Sequence, residues 1–385
     1  TSDISGNLYI TGPFFGTVDF DPNAGIFNLT SNGDQDIFIQ KLDANGNFLW
    51  AKSIGGTGDD DGTSITTDAN GDVYITGFYS GTVDFDPNTA TFNLTSNGTS
   101  DGFIQKLDGN GNFLWAKSEV SGAITTDANG NVYLTGSYQG TVDFDPNAGT
   151  FNLTSNGNQD IFIQKLDANG NFLWAKSMGA SETDVSKCVT TDSFGNVYIT
   201  GFFDGTVDFD PGSAIFNLTT NNQSDIFIQK LDAGGNFVWA ISVGGAGEDF
   251  SESITIDASN GVYIAGYFGY TVDFDPTAST FNLTADNYGD AFILKLNQLS
   301  VNIEETILLN DVSIFPNPSQ GIVNINLGDL KSPTVKVFSL TGQLIYQKEN
   351  INASVYQFEL NEAPGVYFVE VSSQNEKLQY KLVKK

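Results

Sequence analysis

The chain has 385 residues, enough for two or three domains, and its 31 Phe, 14 Tyr, 4 Trp and 42 Gly point to an aromatic core closed by many tight turns rather than to long helices. Its 46 acidic residues face only 16 cationic ones, all Lys, and the resulting formal charge of −30 argues against nucleic acid and anionic membranes as partners while suiting solubility or divalent cations. There is no His, which removes the commonest general base, the Ser-His-Asp triad and the commonest zinc ligand, and a single cysteine, Cys188, excludes an intrachain disulfide.

The charge is unevenly placed. Residues 311–385 hold seven Lys and seven acids, whereas residues 1–310 hold nine Lys and 39 acids. No apolar run reaches transmembrane length. The chain opens Thr1-Ser2-Asp3 inside a repeat, as a processed, trimmed or partial chain would.

The repeats come first. Val-Asp-Phe-Asp-Pro occurs at Val18–Pro22, Val83–Pro87, Val142–Pro146, Val207–Pro211 and Val272–Pro276, in steps of 65, 59, 65 and 65 residues. The short step reflects a missing loop: Gly55–Gly62 follows Trp50, but only Glu119–Gly122 lies at the matching place after Trp115. Within one period, Asp36–Asp43 reads as a strand, Ala44–Asn47 as a turn and Phe48–Ser53 as a second strand. A Gly/Asp loop precedes a third strand, Ser64–Asp68; a second Asn-Gly turn then leads into a fourth, Val73–Gly77. Asn-Gly between apolar runs is a strong hairpin signal, because both central residues need positive φ. Gly81–Gly98 reads as an inserted hairpin with strands over Thr82–Asp86 and Thr91–Thr95.

The strands are apolar on both faces, as Ile37, Phe38, Ile39 and Leu42 illustrate, and such a sheet is stable only when stacked between others. The expected fold is therefore all-β: a β-propeller of antiparallel four-stranded blades, with an open β-solenoid as the alternative. The chain enters at a fourth strand, Gly6–Gly12, and leaves at a first strand, Asp290–Leu296. About five blades follow, one of them shared between the chain ends; otherwise the complementary half-blades join separate copies. Residues 1–298 form this domain, and 299–311 a linker or closing strand, with Val301–Leu309 as its candidate.

Gly195–Gly201 (GNVYITG), Asp225–Leu231 (DIFIQKL) and the Gly244–Asp249 loop (GGAGED) resemble the bacterial β-propeller repeat family known as SBBP, over about residues 3–297. That resemblance implies a propeller and an extracellular location, and no particular reaction.

The composition changes near Asn297. Residues 312–385 carry seven short alternating runs, the pattern of a small Ig-like sandwich. Phe315-Pro316-Asn317-Pro318 followed by Gly321, then Val335–Leu344, Ala363–Val369 and the basic ending Lys381–Lys385, resemble in order the type A C-terminal sorting domain of type IX secretion. That resemblance implies recognition by an outer-membrane translocon, export to the surface or medium of a Gram-negative bacterium, and cleavage of the domain on arrival.

The candidate chemistry lies in the acidic insert. Alternate residues on a strand share a face, so Asp19 and Asp21, and likewise Asp84 and Asp86, Asp143 and Asp145, Asp208 and Asp210, and Asp273 and Asp275, are candidate calcium ligands; an exposed acidic hairpin is the other reading. Asp43-Ala44-Asn45-Gly46-Asn47 lacks the residue order of a calcium loop and reads as a turn. Asp59, Asp60 and Asp61 read as a solvated loop, and Asn28-Leu29-Thr30 as strand rather than glycosylation site. Paired carboxylates also suit glycoside cleavage, but they recur in every repeat, and no repeat departs from the others enough to mark a unique site. The expected function is a non-catalytic surface module that binds a glycan or protein, or a subunit that self-associates into a filament.

Overall fold

The structure is a computed structural model that describes all residues except 258, 278, 287–288, 298–311, 328–329, 331, 340–343 and 374–375. It divides into two compact units, Thr1–Asn297 and Gln298–Lys385. The candidate closing strand Val301–Leu309, and Thr341-Gly342, which the sequence suggests as a turn, lie outside the described residues.

The first unit is five antiparallel sheets in chain order. The second sheet shows the pattern: Asp61–Thr67, Val73–Tyr79, Asp101–Leu107 and Phe113–Ser118 lie side by side in that order. Its inserted hairpin, Thr82–Asp84 paired with Asn93–Thr95, leaves and re-enters between the two central strands. The third and fourth sheets repeat this arrangement, and among the described residues the first and fifth have three strands each.

Five sheets match the expected number, but their grouping differs from the expectation. The Gly/Asp loop links two sheets rather than two strands of one. The cause is visible at Asp60: its N–H donates to Gln35 O beside the first sheet, while its carboxylate accepts from Ser80 N beyond the second. Each sheet therefore starts with the strand after that loop. As a result the first sheet (Leu8–Phe14, Asp36–Leu42, Phe48–Ile54) and the last (Asp249–Ile256, Val262–Phe268, Asp290–Leu296) both contain the two central strand positions. Among the described residues they duplicate rather than complement each other, so the chain ends do not share one blade.

Strand alternation gives each sheet two apolar faces. One, here the front, carries Val73, Ile75, Phe103 and Leu107 in the second sheet; the other, the back, carries Tyr74, Ile104 and Lys106. The back of each sheet packs on the front of the next. Tyr9, Ile37, Ile39 and Ile54 of the first sheet meet Val73, Ile75, Phe103 and Leu107 of the second in one core cluster, and the later junctions repeat the pattern. The hairpin adds a lid: Phe85 packs edge-on against Tyr79 at 5.3 Å and tilted on Phe103 at 5.0 Å. Polar bonds fix the register of each junction. The Lys41 ammonium donates to Gly109 O, in a turn of the next sheet, at 3.0 Å, and Lys165 to Ala233 O at 3.2 Å.

The second unit has a three-stranded sheet (Ser313–Phe315, Ile322–Asn326, Val355–Glu359) and a four-stranded one (Leu344–Lys348, Thr334–Ser339, Gly365–Ser373, Glu376–Lys384). Val323, Ile325, Val335, Val337, Val369 and Leu382 join in one core drawn from both.

Phe162 is fully buried where the second and third sheets meet. Phe162→Ala is expected to cost about 3–5 kcal/mol, read as a lowered denaturation midpoint of the propeller-like unit.

Candidate functional site

Each Val-Asp-Phe-Asp-Pro segment drives its Phe into the core and leaves its two Asp at the rim. Phe20, Phe85, Phe144, Phe209 and Phe274 are buried. The carboxylates bond to the local backbone. Asp19 Oδ1 accepts from Asp21 N at 3.0 Å and Phe27 N at 2.8 Å; Asp84, Asp143, Asp208 and Asp273 do the same in their copies. Asp21, Asp86, Asp145, Asp210 and Asp275 each accept from the N–H two residues on. The Phe27 and Asp21 amides hold the Asp19 carboxyl below its ordinary range. These ten side chains act as loop staples, and among the described residues no group of three His, Cys, Asp or Glu gathers as a metal would need.

The Asp-x-Asn-Gly-Asn turns follow the same rule, as expected of turns. Asp43 Oδ1 accepts from Asn45 N and Asn47 N, both at 2.8 Å. Asn28–Thr30 is strand, as expected. Cys188 is half-buried and packs beside the core between the fourth and fifth sheets.

The loop expected to be solvated contains the most deeply buried acids. Asp60 is fully buried, with Oδ2 accepting from Gly56 N at 2.7 Å and Oδ1 from Ser80 N at 2.9 Å. Asp184 and Asp249 are its copies. Beside them lie Asp36, Asp160 and Asp225, also buried, each with Oδ1 unpartnered. Gly55, Gly179 and Gly244 press against these three carboxyls so closely that a Cβ would sit 2.2–2.4 Å from the carboxyl carbon. Burial lifts Asp184 to about 6 and Asp225 to about 7, with Asp160 and Asp249 respectively adding to the repulsion.

Among the described residues, two departures from the repeat lie beside clefts. Where the loop is short, Glu119 is buried, accepts from Val120 N and Gln164 Nε2, and is lifted to about 7 by desolvation. A cleft of about 420 Å³ opens there beside Asp101 and Asp143. The second place is larger, about 670 Å³, and is lined by Gln223, Glu248, Tyr267, Tyr270 and Asp286. One of its lining residues is a substitution. Tyr270 stands where the other hairpins begin with Gly16, Gly81, Gly140 and Gly205, and it keeps their left-handed backbone at φ 57°. Its side chain is 71% exposed, and Tyr267 beside it is 47% exposed. The opening expectation that no repeat departs from the rest is thus corrected at these two positions. The signal was present in the sequence as Gly269-Tyr270 in place of X-Gly.

Residues 313–385 match the family described as the secretion system C-terminal sorting domain. This tail directs the chain through type IX secretion to the cell surface or extracellular space. The repeats are similar to an uncharacterized WD repeat-containing protein of Acanthamoeba polyphaga mimivirus, 28% identical over 57% of this chain and 19% of that protein. They are also similar to the regulatory protein FlaEY of Caulobacter vibrioides, 27% identical over 37% of this chain and 15% of the relative. The chain thus spans under a fifth of the length of each. A solved structure, the extracellular domain of a hybrid two-component system protein of B. thetaiotaomicron, aligns over 94% of this chain and 79% of its own, at 9% identity and a TM-score of only 0.14. The stacked antiparallel sheets and the WD-repeat relative identify a propeller-like β-repeat.

The buried acids set the pH response. Above the ordinary carboxyl range the folded chain is expected to hold protons, on Asp184 up to about 6 and on Asp225 up to about 7, that the unfolded chain has released. Stability therefore falls as pH rises through that window. Below it, carboxyls held low by turn amides, such as Asp43 and Asp257, are protonated and stability is lost again. Melting temperature is expected to peak near pH 4–5 and decline by pH 7.5, with Asp225→Asn flattening the decline.

Proposed function

We propose that this exported chain is a non-catalytic carbohydrate-binding module whose binding groove is the Tyr267/Tyr270 cleft. The observation that supports this most is Tyr270. A bulky residue held at positive φ costs of order 1–3 kcal/mol, and such strain persists where it serves a purpose. Here it puts an aromatic ring at the rim of a cleft of about 670 Å³, next to a second exposed ring. Exposed rings stack on the C–H faces of sugars, while Gln223, Glu248 and Asp286 offer acceptors and one amide to their hydroxyls. Export to the surface places such a groove where extracellular glycans are found.

The competing reading is a glycan-cleaving enzyme using Glu119. Its raised carboxyl suits a general acid, and Asp101 and Asp143 line the same cleft. Against it, Asp143 is bonded to the Asp145 and Phe151 amides as its non-cleft copies are.

Tyr270→Gly separates these readings. It is expected to raise the melting temperature, since it relieves about 1 kcal/mol or more of backbone strain, and to weaken binding on a glycan array at least tenfold. Unchanged glycan binding, or hydrolysis that Glu119→Gln abolishes, counts against the proposal.

A further inference from the structure

Three aligned positions change together in the fifth repeat, and all three line the Tyr267/Tyr270 cleft. Tyr270 replaces the hairpin glycine. Ala285 replaces the hydroxyl residue, Ser31, Ser96, Ser155 or Thr220, that accepts from that glycine's N–H in the other four repeats. Asp286 replaces Asn32, Asn97, Asn156 or Asn221. The backbone is kept, since Ala285 N donates to Tyr270 O as Ser31 N donates to Gly16 O. What changes is the set of side chains at this place, which loses a hydroxyl and an amide and gains a ring and a carboxylate.

The cleft is both acidic and aromatic. Glu248 and Asp286 are exposed, and among the described residues neither carboxylate holds a hydrogen bond or an ion pair, unlike the Asp side chains that staple the turns. The stretches of chain that supply the lining, 219–225, 244–249, 266–271 and 284–286, carry Asp225, Glu248, Asp249 and Asp286 and no Lys. Tyr267 is 47% exposed, as is Phe78 at the same place in the second sheet, so its exposure follows from its position in the repeat. Phe250 backs it at 5.0 Å and in turn meets Phe202 at 4.6 Å; the Lys187 ammonium on this row lies over Phe202, not over Tyr267. Desolvation, and after it the charges of Glu252 and Glu248, push the Tyr267 hydroxyl up. Aromatic faces and unpaired carboxylates around one opening attract a cation in two ways, through the ring quadrupole and through charge.

We infer that the glycan this cleft takes is a cationic one, built of amino sugars whose amino groups are free. The inference rests on the carbohydrate-binding reading and names its ligand class. The rings of Tyr267 and Tyr270 cover the C–H faces of the sugars, and the ammonium groups pair with Glu248 and Asp286. N-acetylation removes the charge and with it both attractions. An anionic glycan is repelled by the same carboxylates.

Calorimetric titration of the whole chain at about pH 6 with two probes, glucosamine tetramer and N-acetylglucosamine tetramer, tests this. The glucosamine tetramer is expected to bind at least about fivefold tighter, as one or two solvent-exposed ion pairs would supply, and to lose that advantage as salt is raised. Asp286→Asn, which restores the residue of the other repeats, and Glu248→Gln are each expected to weaken glucosamine binding about threefold and to leave the acetylated probe unchanged. Asp59→Asn, at the counterpart of Glu248 in the first inter-sheet loop, is expected to change neither. A glucosamine affinity that Asp59→Asn lowers as much as Asp286→Asn reflects only the overall charge of the chain and overturns the inference. Equal or tighter binding of the acetylated probe also overturns it, while leaving the carbohydrate-binding reading standing. Binding of neither probe overturns it as well, and the glycan array with Tyr270→Gly then decides the broader reading separately.

Discussion

The structure depends on one constraint: sheets that are apolar on both sides must each be covered twice. A back face of Tyr, Ile and Lys meets a front face of Val, Ile, Phe and Leu, and the junction recurs four times within one chain. Burial of large aromatic and branched side chains supplies the drive. The Lys-to-carbonyl bonds supply the register, since an apolar junction alone would tolerate sliding. The hairpin inserts belong to the same scheme, because each carries a Phe into the seam beside the sheet edge.

The strong acidity follows from how this chain makes turns. Asp accepts two backbone N–H groups at the sheet turns, at the hairpin tips and in the inter-sheet loops, repeat after repeat. A carboxylate does this better than a neutral acceptor, since charge-assisted bonds are the stronger ones. Much of the net charge is thus a by-product of loop architecture, located where water still screens it. Among the acids that burial removes from water are Asp60, Asp160, Asp184, Asp225 and Asp249, whose carboxyls it pushes up, and they are the basis for expecting greater stability in mild acid.

Much of this was legible in the sequence. The period, the Asn-Gly turns, the inserted hairpins and the change of domain near Asn297 are all local patterns, and local patterns survive folding. What could not be read depended on contacts across the period. Alternation placed Asp19 and Asp21 correctly on an exposed hairpin, but only the structure shows that Phe27 and Asn23 amides occupy them. Asp60 looked like one of three hydrophilic loop residues, yet it bridges two sheets and is buried for that reason. The sheet boundaries were displaced by one hairpin because a loop between sheets and a loop within a sheet have the same composition. Tyr270 was readable by aligning the five hairpins, and its significance appears only with the positive φ and the cleft beside it.

If mutual covering is what stabilises each sheet, protection should follow position in the stack and not sequence, which is almost constant along it. Native-state hydrogen exchange on the whole chain measures this directly. The slowest exchange is expected in the central strands of the second, third and fourth sheets, Val73–Tyr79, Val132–Tyr138 and Val197–Phe203, and faster exchange in Leu8–Phe14 and Asp290–Leu296. Equal protection of all five sheets at conditions where the chain is monomeric would contradict it.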